Sequence, residues 1–89
     1  MRIYARKRER ERNIWQILPE NATIVDRTFT QALAEIIVSK LKEQFSGGYF
    51  RITKLVDCGS LYNRSITVSF KDPADEAFFI IKSSDGFEI

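Results

Sequence analysis

The sequence predicts an α+β fold in which one long helix packs on a small antiparallel sheet. Three observations predict it. Residues 28–45, TFTQALAEIIVSKLKEQF, repeat their apolar side chains at the period of a helix. Residues 49–57 and 65–71 alternate apolar and polar side chains as half-buried strands do. The short gap between those two stretches makes them antiparallel partners.

In the helix, Phe29, Ala32, Leu33, Ile36, Ile37 and Leu41 share one face. Thr28 with Gln31 three residues on reads as a capping box, and Ser46-Gly47-Gly48 as the stop. The apolar arc is wider than the stripe of a helix facing a single core. It is therefore expected to touch a sheet on one flank and a second element on the other.

The N-terminal stretch admits two readings. As a helix, Arg6–Glu9, Lys7–Glu11 and Glu9–Arg12 are opposite charges three or four residues apart. Alternatively, a flexible basic arm precedes a short strand at IWQIL. In either case the cluster of Ile14, Trp15, Ile17 and Leu18 belongs out of water. Trp15 is expected to be at least half buried, against the flank of the long helix or in a homodimer contact.

In the first strand Phe50, Ile52 and Val56 alternate with Arg51 and Thr53. In the second, Ile66, Val68 and Phe70 take one side, and Thr67, Ser69 and Lys71 the other. Residues 72–86, DPADEAFFIIKSSDG, are again ambiguous. The favoured reading is a turn followed by a third strand, with Lys71 opposite Glu76 and Val68 opposite Phe79, which completes a three-stranded meander. The alternative is a helix with Asp72 at its N-cap, Pro73 at its first position and Gly86 past its end. That reading gives a ferredoxin-like β-α-β-β-α-β order, with a strand at residues 23–25 and a stub at FEI.

With 89 residues, 44% of them hydrophobic and 29% charged, the chain is expected to form a single domain, 1–89, with residues 1–12 as a basic arm or helix start. Net charge is only +2, but residues 1–12 hold six basic groups against two acidic ones. Histidine is absent and Cys58 is the lone cysteine. Imidazole acid–base chemistry, Ser-His-Asp or Cys-His nucleophiles and thiolate metal sites are thereby excluded. Asp72, Asp75 and Glu76 read as solvated, and Ser46-Gly47-Gly48 lacks the Lys-Ser/Thr of a phosphate loop. No enzymatic activity, metal or cofactor is expected. The lone cysteine and the absence of a long apolar run lead to an expectation of a cytoplasmic protein that does not enter membranes.

The strongest functional signal is the basic run. Arg2, Arg6, Lys7, Arg8, Arg10 and Arg12 are candidate phosphate contacts for a nucleic acid, bound without sequence readout. Tyr49, Tyr62, Arg51, Lys54 and Arg64 could extend such a surface onto the sheet. Measured against RNA-recognition motifs, Ser65 and Thr67 stand where stacking aromatics belong, so no family is assigned. The competing expectation is a protein-binding or self-associating module, an inhibitor or adaptor of a larger machine. Its interface would involve Trp15, Phe78 and Ile80.

Overall fold

The computed structural model describes residues 1–8, 13–20, 28–55 and 64–89. They form β1 (Arg2–Lys7), β2 (Ile14–Pro19), α1 (Gln31–Gln44), β3 (Gly48–Lys54), β4 (Arg64–Phe70), α2 (Pro73–Ser83) and β5 (Phe87–Glu88). The strands make one antiparallel five-stranded sheet in the order β3-β4-β2-β1-β5. The architecture is α+β. Among the described residues, no helix is long and apolar enough to cross a membrane.

Neither the three-stranded meander nor the ferredoxin-like order is realised. The sheet has five strands because the N-terminal stretch is a hairpin. Ile3 and Ala5 alternate with Arg2, Tyr4 and Arg6, a period-2 pattern that the helical ion-pair reading overlooked. β1 pairs with β2 from Ile3↔Pro19 to Lys7↔Trp15, and the Arg8 N–H donates to the Ile14 carbonyl at 3.0 Å. Just before β2, Asn13 has φ of 71°, a left-handed conformation that asparagine tolerates. β1 stands between β2 and β5, inside the sheet, so residues 2–7 are neither arm nor helix. The expected strand at residues 23–25 lies outside the described residues.

The favoured strand at the C-terminal end is also overturned. Residues 73–83 are helical because local end signals outweigh the β-propensity of FFII. The Asp72 carboxylate accepts from the Ala74 N–H at 2.9 Å, Pro73 sits at the first helical position, and Asp75 and Glu76 face the positive end of the helix dipole. The four apolar residues splay around the helix rather than entering a two-sided core. Phe79 is fully buried, whereas Phe78, Ile80 and Ile81 are exposed. The Lys71–Glu76 and Val68–Phe79 cross-strand pairs therefore do not form.

α1 begins two residues later than its capping-box reading. Phe29 pairs with Arg64, each N–H donating to the other's carbonyl at 2.8 and 3.1 Å, which holds residues 28–30 extended. Thr30 becomes the N-cap, its Oγ accepting from the Leu33 N–H at 3.1 Å. The helix lies on β3 and β4 and buries Ala34, Ile37, Val38 and Leu41. Part of the wide arc faces solvent instead, with Ile36 half exposed. The second surface it reaches is aromatic. Phe45, its C-cap, meets Phe78, Phe79 and Phe87 with ring centroids 5.1–5.5 Å apart.

Both helices lie on one face of the sheet. Ile3, Ile17, Phe50, Ile66, Val68, Phe70 and Phe87 point toward them and join the helical side chains in one core. Phe79 is its aromatic hub, touching the rings of Trp15, Phe45, Phe70 and Phe87. The opposite face of the sheet carries no element among the described residues.

Candidate functional site

Strand alternation decides what that open face displays. Residues between the inward-facing core positions point outward: Arg2, Tyr4 and Arg6 on β1, Ile14, Gln16 and Leu18 on β2, Tyr49, Arg51 and Thr53 on β3, and Ser65, Thr67 and Ser69 on β4. The register aligns them in rows. Arg6 opposes Gln16, Gln16 opposes Thr67, and Thr67 opposes Arg51. In the neighbouring row Ile14 opposes Ser69, which opposes Tyr49, while Arg8 continues the row past β1.

A shallow groove of about 370 Å³ follows from side-chain length. Its floor is made of the short Ser65, Thr67 and Ser69 of β4, and its margins of the long Arg8 on one side and Tyr49 and Arg51 on the other. Tyr49 is 70% exposed, a large aromatic left in water on the edge strand. The charge is one-sided. β1 to β4 contain Arg2, Arg6, Lys7, Arg51, Lys54 and Arg64 and no acidic residue. The carboxylates of Glu35, Glu43, Asp75 and Glu76 lie on the helices, and on the open face Glu88 of the short β5 stands opposite Arg2 at the edge of the sheet.

The six N-terminal candidates separate on this geometry. Arg2 is engaged at the β5 edge, where it donates to the Glu88 carboxylate at 3.3 Å and to the Asp85 carbonyl at 3.0 Å. This pairing holds the Glu88 carboxyl below its ordinary value and raises the Arg2 guanidinium further. Lys7 has the parity of the helix side and stands 6.0 Å above the Trp15 ring. Arg6 faces the open side and, among the described residues, forms no ion pair; the same holds for Arg51. Arg8 lines the groove. Arg10 and Arg12 lie outside the described residues.

The sheet residues expected to extend the surface also divide. Arg51 and Tyr49 belong to the groove, but Lys54 and Arg64 have the opposite parity, and Arg64 donates to the Gln31 side chain at 2.7 Å. Tyr62 and Cys58 lie outside the described residues. The suggested interface is not one patch. Trp15 is more than half buried, as expected, on the helix side of the sheet, with its edge to Phe79 of α2. Phe78 and Ile80 are two residues apart on a helix, so they point to different sides of it.

Sequence reasoning missed the groove floor, Ser65, Thr67 and Ser69. The detectable signal was the absence of Asp and Glu from every long strand, which is legible only once the first two strands are recognised. Comparison with protein-family models, curated proteins and solved structures returned no match.

Proposed function

We propose that this chain is a small non-enzymatic binding module that contacts nucleic-acid phosphates through the open face of its sheet, without reading sequence. The observation that carries this reading is the row joining Arg6 to Arg51 across β1 to β4, four strands that contain no acidic residue. Guanidinium groups make charge-assisted, bidentate hydrogen bonds to phosphate oxygens, and neutralising the phosphates releases condensed counterions. The site is thus centred on Arg6, Arg8 and Arg51 rather than on the whole basic run. Among the described residues no element projects from this face to enter a duplex groove, in keeping with contact that positions without specifying bases.

The test is fluorescence anisotropy with labelled single-stranded and duplex oligonucleotides at about 50 mM salt, where phosphate contacts are strongest. Binding that weakens when Arg6 and Arg51 are replaced by glutamine supports the proposal. A flat signal with both probes removes it. A second reading rests on α2, where Phe78 and Ile81 are 47% and 71% exposed, a surface suited to a protein partner or a second copy of the chain. Light scattering that shows a dimer dissociated by Phe78→Ser would favour it.

A further inference from the structure

We infer that the ligand of the open face is a single-stranded oligonucleotide, one base of which stacks on Tyr49. The inference rests on the phosphate-contact reading and adds the strandedness of the ligand.

Three features carry it. Folding gathers Trp15, Phe45, Phe70, Phe79 and Phe87 around one core but leaves Tyr49 70% exposed. Tyr49 lies beside Arg51, two residues away on the same face of β3, so a ring and a guanidinium share one margin of the groove. Arg6 and Arg8 are likewise two positions apart across the sheet from them, about 6–7 Å along an extended chain.

A polynucleotide laid between these margins can place its phosphates along Arg6 and Arg8. Its bases then extend over Thr67 and Ser69 toward Tyr49. The floor suits this placement, because hydroxyl groups both donate and accept and so tolerate any base edge. A duplex cannot use the Tyr49 ring in the same way, since the faces of its bases are already stacked on one another. Stacking is available to single strands and is sequence-tolerant, because every base has a π face.

Anisotropy of the full chain with labelled oligo-dT, oligo-rU and a dT·dA duplex of equal length tests the inference. Single strands should bind at least tenfold more tightly than the duplex, and the ratio of the dT and rU arms separates DNA from RNA as the source. Tyr49→Ala should weaken single-strand binding roughly 5- to 150-fold, Tyr49→Phe should largely retain it, and neither should alter duplex binding. Such an exposed residue can be replaced without unfolding the chain, which a thermal melt of each variant checks. Duplex binding as tight as single-strand binding, or an unchanged Tyr49→Ala, overturns the inference. If Arg51→Gln still weakens binding in that case, phosphate contact survives and stacking alone is lost. Binding to none of the probes removes both.

Discussion

Arg6 and Arg51 lie forty-five positions apart in the chain yet end a single cross-strand row, through Gln16 and Thr67. With strands roughly 4.8 Å apart, three spacings separate their backbones by about 14 Å. The Arg6→Gln, Arg51→Gln double variant should keep its thermal midpoint, because both side chains are exposed and neither has an ion-pair partner among the described residues. Its salt dependence should change instead. Three arginines at about −0.7 per phosphate give a slope of log affinity against log salt near −2 for single strands, and the double variant should retain only about a third of it. A full slope in the variant would place the contacts elsewhere.

β1 lies within the sheet, so removing the first seven residues should not yield a trimmed but folded module. The deletion takes away fully buried Ile3 and strips β2 and β5 of their shared neighbour. Circular dichroism should show loss of the cooperative melt. Ile3→Ala, a milder probe, should cost roughly 2–5 kcal/mol in denaturant unfolding. An unchanged midpoint after the deletion would contradict the observed strand order.

Phe79 concentrates the aromatic packing of α2 against the sheet, with four ring neighbours and no exposure. Truncation to alanine should cost about 3–5 kcal/mol, enough to threaten folding in a domain of this size. Trp15 leans on Phe79 from the helix side of the sheet, so its emission should be blue-shifted in the native protein. That emission should stay constant as oligonucleotide is added, because the ligand occupies the other face. A strong quench on binding would argue against the open face as the site.

Gly86 follows α2 with φ of +82°, and a β-carbon there would come within 2.9 Å of the Ile3 carbonyl oxygen. Both the left-handed backbone and the close approach of β1 oppose a side chain. Gly86→Ala should destabilise by roughly 1–3 kcal/mol, measured as a lowered denaturation midpoint.

The Arg2–Glu88 pair makes a small pH-dependent contribution. Hydrogen bonding from Arg2, followed by the charge of the amino terminus, lowers the Glu88 pKa in the folded state. A depressed carboxylate adds stability that is present above its unfolded value near 4.5 and disappears as the pH falls through the lower folded value. Glu88→Gln should therefore reduce stability slightly at neutral pH and leave it unaltered in strong acid. The pair is solvent-exposed, so the effect should fade further at high salt.

The sequence by itself determined the elements whose signals are local. The period of residues 31–44 specifies α1, and the alternation of residues 48–54 and 64–70 specifies the β3–β4 pair and the side each residue faces. It also carried every signal for α2, namely Asp72, Pro73 and the acidic first turn, but the FFII run pointed the other way. Only the tertiary structure resolved that conflict, because burial of Phe79 alone among the four satisfies a one-sided helix. The N-terminal hairpin was harder to read, since a strand with only two apolar inward residues, Ile3 and Ala5, can be mistaken for a charged helix until a partner strand is in place. The candidate site belongs wholly to the tertiary level. Arg6, Arg8, Tyr49 and Arg51 were visible as residue types, but pairing β2 with β4 is what carries β1 and β3 to opposite margins of one face. Cross-strand register is a long-range property, and it makes neighbours of side chains that the chain itself keeps far apart.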